Sequence, residues 1–202
     1  MRRTRRAAEV AIIVLVVAGI SGLLIARRGS QPSGSRGIGG PAGRGCDVSG
    51  VISEGERIPD DCLFETLPDG KFVSLGQARD GKPLVLNFWA SRCLYCIKEM
   101  PDFQRVYEQA SGRVAFLGLD LLGVQGETKS AAVKLAGETG VHYPLGYDQG
   151  AELYARLTPR LLMPTTILVR ASGVVALRQF GPLTADQLRD LIRKHLDVDL
   201  EG

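Results

Sequence analysis

Apolar and polar positions follow two rhythms along most of this chain, and each rhythm predicts an element. Residues 84–89 form a nearly continuous apolar run, as expected of a strand in the middle of a mixed sheet. Ile97, Met100, Phe103, Val106, Tyr107 and Ala110 then recur at intervals of three and four, which predicts a helix with one buried face. Residues 114–119 predict the next strand. A helix is expected around 128–139, with Ala132, Val133, Leu135 and Ala136 as its apolar face, and a shorter helical stretch at 150–157. Ahead of these, the turn Pro68-Asp69-Gly70 introduces a short strand at 72–75. Toward the end, 165–169 and 174–177 flank Ala171-Ser172-Gly173, a hairpin signal. Thr184 with Gln187 three positions on is a capping box that opens a last helix, with Leu188, Leu191, Ile192 and Leu196 on its inner face. Strands that alternate with helices and close on a hairpin and a helix predict the α/β class, a central mixed sheet flanked by helices.

The N-terminal part is patterned differently. Residues 10–26 are 17 positions without a charge, between Arg2, Arg3, Arg5 and Arg6 on one side and Arg27 and Arg28 on the other. As a helix they reach about 25 Å, short of a hydrocarbon core of about 30 Å by an amount that snorkelling arginines cover. The expectation is a cytoplasmic stretch at 1–9 and one transmembrane helix at 10–26. A cleaved signal peptide is the alternative. Against it, the apolar run resumes at Leu23-Leu24-Ile25 after Gly22, and no A-x-A site follows. Residues 29–45 include seven glycines and no apolar period. The stretch 27–45 is therefore expected to be a flexible linker, spanning about 22 Å end to end. A domain at 46–202 completes the organisation.

Composition narrows the function. With 202 residues, 45% of them hydrophobic, the chain can fill one ordinary core. The net charge of +3 comes from the N-terminal arginines, and no basic stripe interleaved with aromatics appears in the body, which excludes nucleic acid as the expected partner. Four cysteines remain. Cys93 and Cys96 form a CxxC where the buried strand feeds the helix. There, free backbone N–H groups and the helix dipole favour a thiolate, the reactive form. Arg92 next door adds positive charge if its guanidinium points at the sulfur. A structural zinc would need four ligands, and neither a second CxxC nor HxxxH occurs; His142 and His195 stand far apart. No metal and no cofactor are expected. Cys46 and Cys62 flank a short segment and read as a structural disulfide, which persists only in an oxidising compartment; two unrelated free thiols are the alternative. With the arginine-flanked span, this puts the catalytic domain outside the cell membrane.

The segment NFWASRCLYCIKEMP, residues 87–101, resembles the active-site signature of the thioredoxin-like TlpA/ResA family of membrane-anchored thiol–disulfide oxidoreductases. Met163-Pro164-Thr165-Thr166 resembles that family's cis-proline strand, and Arg178-Gln179-Phe180-Gly181 with Leu183-Thr184 its closing hairpin and last helix. The likeness runs from about residue 62 to 198, with one departure: Arg92 stands where the family usually has Trp. It implies a thioredoxin-like fold, with Cys93 as nucleophile and Cys96 as resolving thiol. It further implies a cis Pro164 lying against the disulfide, and a Met163 whose backbone pairs with an extended substrate segment. Trp89 is expected to pack beside the site. Glu99 matches a family glutamate that tunes the cysteine pair, and with Asn87 where ordinary thioredoxins carry a buried Asp, it is the nearest carboxylate for proton transfer. The function implied is a membrane-tethered reductase of extracytoplasmic disulfides. Apocytochrome c or a copper-centre assembly protein would be its partner, and an integral membrane thiol carrier its electron donor. A disulfide oxidant or isomerase of secreted proteins is the alternative; a copper chaperone using the CxxC thiolates is a third reading.

Overall fold

The computed structural model describes Cys46 and residues 50–200. In chain order come β1 (Leu63–Thr66), β2 (Phe72–Ser74), α1 (Leu75–Arg79), β3 (Leu84–Trp89), α2 (Leu94–Ala110) and β4 (Ala115–Asp120). They are followed by α3 (Lys129–Thr139), β5 (Leu145–Tyr147), α4 (Glu152–Leu157), β6 (Thr165–Val169), β7 (Val175–Phe180) and α5 (Ala185–Leu196). Short 3₁₀ turns at Val124–Gly126 and Gln149–Ala151 precede α3 and α4. The expected transmembrane helix at 10–26 and the linker at 27–45 lie outside the described residues. Among the described residues, no helix is long and apolar enough to cross a membrane.

The strands form one mixed sheet in the order β2-β1-β5-β4-β3-β6-β7. All six residues of β3 are buried, because the strand is paired on both edges and covered on both faces. It runs parallel to β4, with Trp89 opposite Asp120, and antiparallel to β6, with Phe88 opposite Thr165. The end of β3, the end of β4 and the start of β6 therefore meet at one edge of the sheet, where β3 hands over to the CxxC.

Side chains of β3 alternate between two cores. Val85 and Trp89 face α2, α3 and α5, packing among Phe103, Val106, Leu135 and Ile192. Leu84, Leu86 and Phe88 face the other layer, with Leu75 of α1, Leu153 and Leu157 of α4, and Ile52 and Ile58 from the segment before β1. Each such side chain contributes roughly 1.5–3 kcal/mol by leaving water. Gly118 in β4 is there for close approach: a Cβ at that position would lie 2.6 Å from Leu145 Cδ2 and 3.2 Å from Trp89 Nε1.

Several sequence expectations change in detail. The strand expected at 72–75 stops at Ser74, which caps α1: its hydroxyl accepts from Gln77 N while Gln77 Oε1 accepts from Ser74 N. Thr184 and Gln187 do the same for α5, as expected. In α3 only Ala132 and Leu135 are buried, and Val133 is 49% exposed. At about 100° per residue, Val133 sits at the rim of the face that Ala132, Leu135 and Ala136 define. The strands β1 and β5 were not read from the sequence.

Candidate active site

Cys93 is the N-cap of α2, in extended conformation, and its sulfur accepts a hydrogen bond from Cys96 N at 3.1 Å. A thiolate at this position gains from that donor and from the helix dipole, both of which favour the charged form. Cys93 is partly exposed whereas Cys96 is fully buried, packed among Trp89, Met100 and Phe103. The two are joined as a disulfide with Cα atoms 5.2 Å apart. An external sulfur can approach only the first of them. Between them, Leu94 and Tyr95 point outward, 71% and 60% exposed.

Met163–Pro164 is a cis peptide bond at the start of β6. The register that sets Phe88 against Thr165 brings Pro164 level with the end of β3, beside the CxxC. Pro164 O accepts from Gly181 N at 2.9 Å, which ties it to β7. Among the described residues the N–H and C=O of Met163 make no hydrogen bond. The loop ahead of it is held from below by Tyr154 of α4. That hydroxyl lies 3.1 Å from Arg160 O and 2.7 Å from Leu162 O, and it accepts from Leu162 N at 2.8 Å. Its ring stacks edge-on against Phe88, with centroids 5.0 Å apart. Tyr154 carries no motif, so nothing in the sequence marks it.

Glu99 lies on the inner face of α2, 2% exposed. Its Oε1 accepts from Asn87 Nδ2 at 2.8 Å and its Oε2 from Leu183 N at 3.0 Å. Burial pushes the carboxyl up to about 7 despite these two donors, which pull the other way. Glu99 therefore links the centre of β3, the CxxC helix and the lead-in to α5. Trp89 is fully buried on the same side as Cys96.

A pair of buried carboxyls near the site was not foreseen. Asp120, at the end of β4 opposite Trp89, is fully buried, and Glu127 is 5% exposed. Glu127 Oε2 accepts from Ser91 N at 3.0 Å and from Ser91 Oγ at 2.8 Å, which fixes the residues leading to Cys93. Among the described residues, neither oxygen of Asp120 meets a donor. Glu127 beside it is an acceptor too, so the two can bond only when one keeps its proton. Burial, and after it the Glu127 charge and hydrogen bond, push Asp120 up to about 8, making it the proton holder. Arg92 is exposed, and its Nη1 lies 3.8 Å from where a Cβ on Gly126 would stand, so the guanidinium leans over the Val124–Gly126 turn.

Away from this edge, Cys46 is bonded to Cys62, with Cα atoms 4.3 Å apart and Cys62 fully buried in the second core.

The redoxin family matches residues 53–192, about two thirds of the sequence. The chain belongs to that family. Within it, the likeness is to the TlpA/ResA-like thioredoxin-type enzymes. The thiol–disulfide oxidoreductase ResA of Bacillus subtilis is 30% identical over 140 residues, covering 69% of this chain and 74% of that protein. The crystal structure of StoA from Bacillus subtilis superposes with a TM-score of 0.53 at 26% identity, over 63% of this chain and 92% of that one. A secreted disulfide oxidoreductase of Mycobacterium tuberculosis shares the fold, with a TM-score of 0.56 at 21% identity, over 65% of this chain and 94% of the other. This redoxin is a thiol–disulfide oxidoreductase whose CxxC pair is Cys93 and Cys96.

Proposed function

We propose that this redoxin reduces disulfides of partner proteins outside the cytoplasm while tethered to the cell membrane by its N-terminal segment. The observation that carries the catalytic part is the asymmetry of the pair: Cys93 is partly exposed at a helix N-terminus, and Cys96 is buried behind it. In the reduced enzyme the Cys93 thiolate attacks one sulfur of the partner disulfide. A mixed disulfide forms, and the first partner sulfur leaves as a thiolate. Cys96 then loses its proton and attacks Cys93 Sγ; the second partner sulfur leaves, and the enzyme pair closes as a disulfide. Two electrons and two protons pass to the partner. Glu99, near pH 7 in its titration, takes the proton of Cys96. Met163 pairs its free backbone groups with the extended partner segment, a form of strand addition.

The tethering part rests on the uncharged span at 10–26 and the glycine-rich 27–45, and the compartment on the Cys46–Cys62 bond. Together with the domain at 46–202 they describe a catalytic body held near an integral membrane thiol carrier, which would return the enzyme to its dithiol form at raised effective concentration. Apocytochrome c and copper-centre assembly proteins are the partners we propose. Direction is tested by the reduction potential of Cys93–Cys96. We expect a value nearer that of thioredoxin, about −270 mV, than that of the oxidant DsbA, about −120 mV. A potential above about −180 mV, with the pair oxidised in acid-trapped cells, would assign the protein to oxidation of secreted proteins instead.

A further inference from the structure

Leu161 and Leu162, just ahead of the cis peptide, are 45% and 40% exposed, and with Leu94 and Tyr95 they put four large apolar side chains around one disulfide. Soluble surfaces keep such clusters for contact. Alongside lies a groove of about 410 Å³ lined by Val51, Val124, Ala151, Tyr154, Pro159 and Leu161. Its Val124 wall continues into the turn over which Arg92 leans, so the groove and the CxxC share an edge.

The charge around this edge is one-sided. Arg92, Lys98 and Arg160 are exposed, and none pairs with a carboxylate among the described residues. Elsewhere Arg57, Lys71, Arg105, Lys129, Arg189 and Arg193 each do, while, among the described residues, Arg170 and Lys194 stand singly. Lys98 and Arg160 rest instead on aromatic rings, 5.8 Å from the centroid of Tyr95 and 5.7 Å from that of Phe180. Residues 90–98, 158–164 and 179–184, which build the edge, contain no Asp or Glu. Glu127 approaches from beneath, but it is buried and bound to Ser91.

We propose that the groove, the four apolar side chains and the three unpaired cations form a docking surface for a polypeptide segment that carries acidic and apolar residues next to its disulfide. This rests on the thiol–disulfide reading and names its substrate class. An acidic segment supplies the carboxylates the edge lacks; its apolar side chains enter the groove while its backbone pairs with Met163. Charge complementarity of this kind acts chiefly on encounter and on choice of partner, and salt weakens it.

The test uses the reduced full-length protein in detergent and measures second-order rates with two peptide disulfides. They share leucines and differ only in flanking Asp or Lys. A small uncharged disulfide serves as reference. The Asp peptide is expected to react on the order of tenfold faster than the Lys peptide at low salt, with the ratio falling toward one in 1 M salt. In Arg160→Glu the ratio should drop several-fold, a comparison within one variant that general damage cannot produce. Serine in place of the peptide leucines should slow both. Equal rates for the two peptides, or a ratio indifferent to Arg160→Glu, would overturn the docking proposal while activity on the uncharged disulfide upholds the redox reading. Failure on the uncharged disulfide would remove both. A dimer in solution that Arg160→Glu dissolves would give the groove to a second copy and overturn the proposal.

Discussion

Replacing Glu99 by Gln isolates the cost of burying a carboxylate behind the CxxC. Below pH 4.5 Glu99 is protonated in both the folded and the unfolded chain. Between 4.5 and about 7 only the unfolded chain gives up the proton, so every step in pH favours unfolding; above about 7 both are ionised and the loss is complete. The two values differ by about 2.5, and each pH unit between them is worth about 1.36 kcal/mol, so some 3 kcal/mol of stability goes between pH 4 and pH 8. The glutamine of the variant does not ionise. Its amide keeps one acceptor for Asn87 Nδ2, but its NH₂ faces Leu183 N–H, a fixed penalty of about 1–3 kcal/mol that does not vary with pH. The difference in stability between Glu99→Gln and wild type should therefore move in favour of the variant by about 3 kcal/mol from pH 4 to pH 8. For a domain of this size that is roughly 6–12 °C in Tm. Asp120 and Asp148, also pushed up by burial, are common to both proteins and cancel. The measurement is chemical or thermal unfolding of the oxidised forms across that range, so that no cysteine titrates. Parallel stability curves would refute the reasoning, because they would mean that Glu99 ionises in the folded protein as easily as in water.

Cys96→Ser should accumulate mixed disulfides with partner proteins through Cys93, whereas Cys93→Ser should trap almost none; equal trapping on a non-reducing gel would reverse the roles. Tyr154→Phe leaves Arg160 O and Leu162 N without their partner, while Leu162 O keeps the Thr165 hydroxyl. It should cost about 1–3 kcal/mol in unfolding experiments and slow exchange with peptide disulfides more than with small ones. Removing both Cys46 and Cys62 by Ser opens a loop of sequence separation 16. By the loop-entropy account this costs about 3 kcal/mol, read as a lower denaturant midpoint with an unchanged Cys93–Cys96 potential. Glu127→Ala releases Ser91 and should reduce the rate of attack by Cys93 without changing which peptide is preferred, so a changed preference would show that Glu127 acts at the docking edge.

Much of the fold was legible because its signals are local. The β3 run, the three-and-four spacing of α2 and the Thr184–Gln187 box each lie within one element. Ser74 and Gln77 offered the same box for α1, and a strand assigned through Leu75 hid it. Four-residue β1 and three-residue β5 were missed because such short pieces have no period; their pairing comes from the sheet. The cysteines and Pro164 carry a motif. Asp120, Glu127 and Tyr154 do not: they matter because β3 and β4 run side by side and because α4 lies under the loop before β6. The burial of Glu99 belongs to the same class. A carboxylate one turn into a helix is most often solvated, and only the packing of α5 and β3 around it takes it out of water.

Tyr154 also affects how the specificity of this enzyme can change over generations. The shape of the loop from Arg160 to Leu162 is fixed through backbone atoms gripped by a side chain from another layer. The side chains at those three positions take no part in that grip. They are therefore free to be exchanged, Leu for a charged residue or Arg for an acid, while the loop still presents Met163 and Pro164 in the same place. If the loop tip docks partners as proposed above, a fold arranged this way separates the part that performs exchange from the part that selects its targets, and a change of preferred partner needs substitutions at the loop tip alone.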